Sequence, residues 1–403
     1  MKILVFNCGS STLKFQLIEL SVTSDRNGEQ KKLARGLVEH IGNASSLRFE
    51  AFGGPAKQGS VPIRGHNEAV VKVIEWLSSD PALRAFDAVG HRVVHGGDQF
   101  TTAVRIDDRV IETLESLCEI APLHNPASVS GVRAARAVLG AALPMVAAFD
   151  TSFHSTLADY ASTYAIPYDL SLKHRIRRYG FHGIAHQYSV LRYGEICRTV
   201  EDQINIVTLH LGNGCSACAI RGGKSVDTSM GFTPLEGLVM GTRSGDLDPA
   251  LVSYLADQEG VDALEVESWL NKRSGLLGIS GISNDMRKLV SAYETNPRAR
   301  LAVDVFCYRG RKYLGAYLAA LNGADAVIFS GGIGENLPFV REQICAGMEW
   351  CGLILDQDKN SSTTGVEGRI SGPRSRVQVY VIPSDEEALI ARETARLLQE
   401  EVS

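Results

Sequence analysis

Short apolar runs alternate with glycine-containing turns along the chain. Apolar residues 3–6 precede a Gly-Ser-Ser-Thr turn at 9–12, and apolar residues 204–209 precede a Gly-Asn-Gly turn at 212–214. Runs of this length, rich in β-branched residues and interrupted by small ones, predict β-hairpins. We therefore expect one hairpin at the start of the chain and a second one, over 204–220, near its middle.

Other segments have the spacing of helices or of buried strands. Apolar residues recur at helical intervals in 67–79, where Val70, Val71, Ile74 and Leu77 are predicted to share a face. Further helices are predicted to open at Asn125-Pro126, Asp248-Pro249 and Asn296-Pro297, and a last one ends near Gln399 and returns to pack on the first half of the chain. Further strands are predicted at 88–94, 145–149, 326–329 and 377–382.

Length and composition narrow the class of protein. A chain of 403 residues is expected to form two or more domains, because single cores stop growing at roughly 250 to 300 residues. The net charge is −5, and basic residues do not alternate with aromatic ones, so neither nucleic acid nor a membrane surface is expected as a partner. The single basic cluster, 173–178, is interpreted as a solvated or anion-facing loop.

The cysteines and the N-terminus indicate a cytoplasmic protein. The eight cysteines lie mostly in apolar segments without the spacing of a disulfide framework. Cys215 and Cys218 have CxxC spacing, but they fall in a predicted strand, where side chains three apart point to opposite faces. The first residues run directly into a strand, so we expect no secretory leader, and no apolar stretch is long enough for a membrane span.

The two glycine turns are the first candidate chemistry. Glycine and small hydroxyl residues leave backbone N–H groups free to surround an anion. Two such turns, one in each half of the chain, suggest that a phosphate chain is held from both sides. A third turn, Gly331-Gly332-Ile333-Gly334-Glu335-Asn336, follows a predicted buried strand and opens a helix, although a plain strand-to-helix turn explains it equally well.

Charged residues beside other turns are candidates for phosphoryl transfer. Arg92 and Arg243 lie next to glycine turns, where a guanidinium can reach a carboxylate or phosphate; surface salt bridges are the alternative. His124 and His182 lie in turns flanked by proline or glycine, where contact with a ligand and a structural role are equally good interpretations. Asp150 follows a predicted strand, at the end where α/β sites usually lie.

These segments together resemble the acetate kinase family over nearly the whole chain. The resemblance implies an α/β fold of two duplicated actin-like (ribonuclease H-like) lobes around a central nucleotide cleft. It places 1–151 plus 386–403 in the lobe for the acyl substrate and metal, and 152–385 in the lobe for ATP and dimerisation. The matching segments lie at 7–11, 91–97, 122–126, 149–151, 179–183, 210–214, 227–246, 285–287, 331–336 and 386–387.

The resemblance also implies roles for individual residues. Asn7 and Glu386 would hold Mg²⁺, with Mn²⁺ as a substitute, on the nucleotide. The residues implied to act in catalysis are Arg92, His124, Asp150, His182 and Arg243. The residues implied to contact ATP are Ser10, Thr12, Lys14, His210, Leu211, Gly212, Asn213, Gly214, Asp285, Met286, Arg287, Gly331, Gly332, Ile333, Gly334, Glu335 and Asn336.

The implied reaction is in-line attack of an acyl carboxylate on the γ-phosphorus of ATP, which gives an acyl phosphate and ADP. A carboxylate needs no deprotonation at pH 7, so Asp150 is expected to act mainly by positioning, through Arg92 or the metal. The residues implied to bind the substrate are Arg92, which would hold its carboxylate, and Val94, Leu123, Phe181 and Pro234, which would surround its methyl group.

Three alternatives remain open. A propionate or butyrate kinase on the same scaffold differs only in the acyl pocket, and Val94 favours acetate. A pyrophosphate-dependent relative is disfavoured by the intact Gly331-Gly332 turn. A non-catalytic nucleotide-gated clamp is disfavoured because it needs no site for an acyl carboxylate. The family also implies a homodimer.

Overall fold

A computed structural model describes residues 1–21, 30–122 and 124–400. The strands are β1 Lys2–Gly9, β2 Thr12–Leu20, β3 Gln30–Glu39, β4 Ala44–Ala51, β5 Lys57–Pro62, β6 Ala88–Val93, β7 Val104–Arg105, β8 Met145–Phe149, β9 Asn205–Leu211, β10 Cys215–Arg221, β11 Lys224–Thr228, β12 Ala326–Ser330, β13 Gly368–Arg369 and β14 Gln378–Val381. The helices are α1 His66–Ser78, α2 Asp108–Ser116, α3 Asn125–Leu139, α4 Asp159–Ser162, α5 Tyr168–His174, α6 Gly183–Cys197, α7 Ala250–Glu259, α8 Ala263–Lys272, α9 Gly275–Ser280, α10 Met286–Ser291, α11 Pro297–Leu321, α12 Gly331–Asn336, α13 Pro338–Cys345, α14 Gln357–Ser362 and α15 Glu386–Glu400.

The chain divides into two compact units. Unit 1 contains Met1–Phe153 and Asp385–Ser403, and unit 2 contains His154–Ser384. The C-terminal helix α15 therefore belongs to unit 1, where it packs on β1, β2, β6 and β8 as the sequence predicted. Within the described residues, no helix combines the length and the apolar character needed to cross a membrane.

Each unit is built around one mixed sheet, and the two sheets share a pattern. In unit 1 the strand order is β5-β4-β3-β2-β1-β6-β8-β7, and in unit 2 it is β11-β10-β9-β12-β14-β13. In both, an antiparallel hairpin is followed by two parallel strands: β1 pairs with β6 and β6 with β8, as β9 pairs with β12 and β12 with β14. The predicted duplication is therefore confirmed as a repeat of topology.

The central strands of both sheets are buried because helices cover them. All five residues of β8 and all five of β12 are buried, as expected for parallel strands with helices packed on them. In unit 1, α3 and α15 contact β1 and β6, and in unit 2, α11 contacts β9 and β10. The carboxyl ends of the parallel strands are thus held on rigid scaffolds.

Most predicted elements are confirmed, with two corrections. In α1, Val70 and Leu77 are buried as predicted. Val73, which was not predicted to lie on this face, is also buried, whereas Val71 and Ile74 are only half-buried. The buried stripe of α1 is therefore turned slightly from the predicted face. The basic cluster is not a loop throughout, because α5 extends to His174.

Candidate active site

Unit 1 brings Arg92 and Asp150 together as a buried ion pair. The guanidinium donates Nε–H to Oδ1 of Asp150 at 2.9 Å and Nη2–H to Oδ2 at 2.6 Å. Asp150 follows β8 and is 1% exposed, while Arg92 lies one residue before the end of the neighbouring strand β6. Burial alone would lower the pKa of Arg92, but attraction to Asp150 and Glu386 outweighs it and raises that pKa overall. The guanidinium is therefore fixed in place and charged.

Two further oxygens converge on the same guanidinium. Nη1 of Arg92 donates to Oδ1 of Asn7 at 3.3 Å and lies 3.5 Å from Oε2 of Glu386. Asn7 is directly opposite Arg92 in the register of β1 and β6, and Glu386 opens α15. The pKa of Glu387 is raised by burial and then by the neighbouring Glu386. This corner of unit 1 therefore carries crowded carboxylates.

The first hairpin places its hydroxyl and ammonium groups on the surface of unit 1. Gly9 pairs with Thr12, and a Cβ atom at Gly9 would lie 2.6 Å from Oγ1 of Thr12, so a larger residue there would require the Thr12 side chain to move. Ser10 and Lys14 are exposed and Thr12 is half-buried. Lys14 is paired with Asn7 across the ladder, so the two side chains share a face.

The segment before α3 is tied to the end of β6. Asn125 accepts a hydrogen bond from N–H of His95 at 3.0 Å and donates Nδ2–H to the carbonyl of His95 at 2.9 Å. These bonds fix the start of α3, which His124 precedes as the N-cap residue, to the segment after β6, which contains the half-buried Val94. Leu123, the predicted pocket residue beside His124, lies outside the described residues.

Unit 2 carries the second glycine turn. Gly212 donates to the carbonyl of Gly214 at 3.0 Å, and Gly241 donates to the carbonyl of Asn213 at 2.9 Å. A Cβ atom at Gly241 would lie 2.0 Å from Oδ1 of Asn213, so only glycine allows the two segments to approach this closely. His210 is the second-last residue of β9, and its Nδ1 lies 3.2 Å from Oγ of Ser330.

His182 and Arg243 meet at Gly214. A Cβ atom built on Gly214 would lie 3.4 Å from Nε2 of His182 and 3.6 Å from Nη1 of Arg243. His182 precedes α6 with a left-handed backbone (φ 56°), a conformation that costs free energy in a residue other than glycine and that is concentrated at functional sites. Nη1 of Arg243 donates to the carbonyl of Pro234 at 3.1 Å, and burial lowers the pKa of Arg243.

The third glycine turn is α12 in unit 2. Gly331 has φ +74°, and a Cβ atom there would lie 2.6 Å from the carbonyl oxygen of Leu211, so the turn requires glycine at this position. Glu335 accepts from N–H of Ser384 at 3.0 Å. Asp285 caps α10 by accepting from N–H of Arg287 at 3.0 Å, and the two side chains also form an exposed ion pair.

Sequence reasoning missed several residues that shape the unit 2 site. Arg341 on α13 is fully buried and donates to the carbonyls of Gly334 and Glu335, at 2.8 and 3.1 Å. It thereby fixes the third glycine turn. Ser216 bonds the ring of His182, with Nδ1 2.9 Å from Oγ. Arg341 lies in no motif. Ser216 lies within the CxxC spacing of Cys215 and Cys218, but that spacing gives no sign of a contact with His182.

Arg178, from the basic cluster, is also structural. Its guanidinium donates to Oε1 of Glu236 at 2.6 Å and to the carbonyls of Thr228 and Met230, both at 3.1 Å. Arg178 is thus paired and half-buried instead of solvated. The run of five basic residues within 173–178 gave no sign of this half-buried ion pair.

The two sheets share one topology. Unit 1 carries a guanidinium–carboxylate pair, and unit 2 carries a glycine turn beside a histidine and an arginine. This arrangement is the one expected for a phosphotransferase of the duplicated α/β class. Comparison with known proteins agrees with this class. The sequence model of the Acetokinase family matches residues 2–392. The chain belongs to this family.

Individual relatives are similar over their full lengths. The chain is 51% identical to acetate kinase from Solibacter usitatus over 407 residues, which covers 99% of this chain and 98% of the relative. The crystal structure of Porphyromonas gingivalis acetate kinase is similar with a TM-score of 0.90 and 42% identity, covering 98% of this chain and 99% of that one. A propionate kinase from Francisella tularensis has a TM-score of 0.91 and 39% identity, with the same coverage. The fold of these neighbours is the predicted one, two duplicated actin-like lobes.

Proposed function

We propose that this protein transfers the γ-phosphoryl group of ATP reversibly to the carboxylate of acetate, giving acetyl phosphate and ADP, with Mg²⁺ on the nucleotide. The observation that carries the proposal is the half-buried Arg92, which two hydrogen bonds to the buried Asp150 hold in place, since a guanidinium fixed in this way suits a carboxylate ligand. Relatives named acetate kinase that are about half identical to the chain support the same reaction.

In unit 1, Arg92 binds the acetate carboxylate and Asp150 holds Arg92. The acetate oxygen is ionised at pH 7 and attacks phosphorus without losing a proton, so the reaction requires no general base. Both oxygens of Asp150 already accept hydrogen bonds from Arg92, which suits positioning better than proton transfer. Direct in-line attack then forms the new P–O bond as the bond to ADP breaks.

In unit 2, His182 and Arg243 stabilise the charge on the transferring phosphoryl group. Both side chains reach the same point beside Gly214, and Arg243 is half-buried. Hydrogen-bond donors fixed in a site that excludes water stabilise a developing charge far more than donors in water do. His210 to Gly214, Asp285 to Arg287 and Gly331 to Asn336 contact ATP, and Ser10, Thr12 and Lys14 of unit 1 lie near its phosphates.

The residues present fit a magnesium ion. The amide oxygen of Asn7 and a carboxylate oxygen of Glu386 lie against the same nitrogen of Arg92, and Mg²⁺ typically takes one or two protein oxygens together with water and phosphate. When bound, the ion neutralises phosphate charge; Asn7 and Glu386 are the residues that would hold it.

The acyl pocket is proposed to favour acetate over longer acids. Val94 in unit 1 and Phe181 and Pro234 in unit 2 are the described candidates, and Phe181 is 2% exposed. Each methylene that a tight pocket excludes is worth about 1 to 3 kcal/mol. A propionate kinase is the alternative activity, and comparison of the two acids separates them.

We also propose a cytoplasmic homodimer. The eight cysteines of the chain are all unpaired thiols, which suits a reducing compartment. Unit 2 exposes large apolar side chains, which suits an interface between two copies. These side chains include Tyr160, Tyr168, Leu172, Tyr254 and Leu264.

The test is formation of acyl phosphate, trapped with hydroxylamine, from acetate, propionate or butyrate with ATP and Mg²⁺. We expect turnover that favours acetate, is lost in Arg243→Ala and is retained in Arg109→Ala, an exposed arginine on α2 that serves as the control. Absence of acyl phosphate with all three acids, despite ATP binding, would overturn the proposal and support the nucleotide-gated clamp. Faster turnover of propionate would instead assign the alternative activity.

A further inference from the structure

Four side chains of unit 2 form a continuous hydrogen-bonded chain, here called the histidine relay. Oγ1 of Thr208 lies 2.7 Å from Nδ1 of His186, whose Nε2 lies 2.8 Å from Oγ of Ser216. Oγ of Ser216 lies in turn 2.9 Å from Nδ1 of His182. Thr208, His186 and Ser216 are all 0% exposed, so water does not reach the first three members.

Ser216 must donate to one ring and accept from the other. A serine hydroxyl has one hydrogen, and the two ring nitrogens that face it belong to His182 and His186. If both rings donated to Ser216, its own hydrogen would lack an acceptor among the groups that face it. Each neutral imidazole likewise has one donor and one acceptor nitrogen. The hydrogens along the relay therefore all point one way or all point the other way.

Thr208 decides the direction. Among the residues that the structure describes, the ring of His186 is the one hydrogen-bond partner of the Thr208 hydroxyl. If His186 donated from Nδ1, the buried hydroxyl hydrogen of Thr208 would have no acceptor, which costs about 1 to 3 kcal/mol. Thr208 therefore donates to Nδ1, and His186 carries its hydrogen on Nε2 and donates to Ser216.

The protonation state of His186 is consistent with this direction. Burial, followed by repulsion from His154 and His210, lowers the pKa of His186 well below its usual value. The ring is therefore neutral and has one hydrogen to place. Ser216, having accepted that hydrogen bond, donates its own hydrogen to Nδ1 of His182.

We propose that Ser216 and His186 are positioning residues that hold His182 as the neutral tautomer with its hydrogen on Nε2, where it donates to the transferring phosphoryl group. Nε2 is the ring nitrogen of His182 that lies on the side of Gly214 and Arg243. The left-handed backbone of His182 sets the ring at this position, and the relay sets the hydrogen. The inference rests on the proposed function for the identity of the acceptor.

The tautomers can be measured without turnover. In protein labelled with nitrogen-15 histidine, two-bond proton–nitrogen correlations distinguish a ring with hydrogen on Nε2 from one with hydrogen on Nδ1. We expect His182 and His186 both to carry hydrogen on Nε2 at pH 7, with each signal identified by its loss in His182→Gln or His186→Gln. Hydrogen on Nδ1 of either ring in the wild-type protein would overturn the inference.

Variants then test the link to catalysis. In Ser216→Ala, His182 should become a mixture of tautomers. The loss of one hydrogen bond should lower kcat about 10-fold, while KM for ATP and for acetate stays within about two-fold of the wild-type value. Thr208→Val, which keeps the side-chain volume, should mix the tautomers of His186. The matched control is Ser189→Ala on α6, which removes an equally buried hydroxyl whose hydrogen-bond partner, within the described part of the chain, is the carbonyl of Ala185.

The outcomes separate this inference from the proposed function. Equal kcat for Ser216→Ala and Ser189→Ala, or an unchanged His182 tautomer in Ser216→Ala, would overturn the relay. A wild-type protein with both tautomers as expected but without acetyl phosphate formation would contradict the proposed function and support the relay geometry.

Discussion

Replacing Asp150 by asparagine removes the negative charge that faces Arg92 in unit 1. The side chain keeps its volume, but its NH₂ group then faces guanidinium N–H donors instead of accepting from them. Breaking a buried ion pair by removing one partner costs about 3 to 5 kcal/mol. Arg92 keeps Glu386 at 3.5 Å and is 18% exposed, so we expect the lower end, a loss of about 3 kcal/mol in the free energy of unfolding.

Tryptophan fluorescence can report this loss from unit 1 alone. Of the three tryptophans only Trp76 lies in unit 1, where it packs on Phe15 and Phe49, so a background with Trp269→Phe and Trp350→Phe isolates its signal. Urea unfolding of Asp150→Asn is compared with that of Glu115→Gln. Glu115 forms an equally short but exposed ion pair with Arg133, for which about 1 kcal/mol or less is expected.

Activity separates positioning from stability. If Asp150 acts by holding Arg92, Asp150→Asn should lower kcat/KM for acetate about 100-fold, as a misplaced binding group does. The double variant Arg92→Leu with Asp150→Leu should recover part of the lost stability, because Asp150 no longer leaves an unpaired charge although Glu386 loses its cation, but should remain inactive. Equal losses of stability in Asp150→Asn and Glu115→Gln would refute the reasoning that the pair is buried and rigid.

Four further changes probe other parts of the chain. Val94→Ala should raise kcat/KM for propionate relative to acetate about 10-fold in the hydroxylamine assay, because the pocket gains room for one methylene; an unchanged ratio would place the discrimination elsewhere. Gly331→Ala should weaken ADP binding in calorimetry and cost about 2 kcal/mol of stability, since φ is +74° and the new Cβ would meet the carbonyl of Leu211. Arg341→Met should cost about 4 kcal/mol, because the buried carbonyls that it bonds lose their donor, and wild-type stability would contradict this. Burial lowers the pKa of His91 to about 3, so its ring is neutral in the folded chain, whereas in the unfolded chain it takes up a proton below about pH 6.5. The free energy of unfolding should therefore fall by about 2 kcal/mol between pH 7 and 5. The variant His91→Gln should lose that part of the pH dependence.

Local patterns predicted the elements that position the site. Hairpin strands, parallel strands and proline-opened helices were predicted close to their observed bounds because each depends on a few neighbouring residues. Asp150 was correctly placed at a strand end for the same reason. The exact buried face of α1 was missed, because a face depends on the partner helix α3 as well as on spacing.

Side chains that act through distant partners were beyond local reasoning. Ser216 meets a histidine 34 residues away, and Arg341 bonds the carbonyl of Thr363, 22 residues away. Nothing in the flanking residues of either distinguishes it from an ordinary serine in a strand or arginine on a helix. His182 and His186 are four residues apart in the sequence, but the serine that they share lies on another element and is brought to them only by folding.

The repeated topology shows why the two units differ in chemistry at matched positions. Asn7 pairs with Arg92 where the first strand of one sheet meets its parallel neighbour, and His210 pairs with Ser330 at the corresponding point of the other sheet. A cation at the first point needs a buried counter-charge, which Asp150 supplies. The short, neutral serine at the second point needs no counter-charge. Under the proposed function, this difference suits a unit 1 that provides a fixed cation for a small carboxylate. It also suits a unit 2 whose glycine turn offers backbone N–H groups to a phosphate chain, with Arg243 as the cation beside that turn.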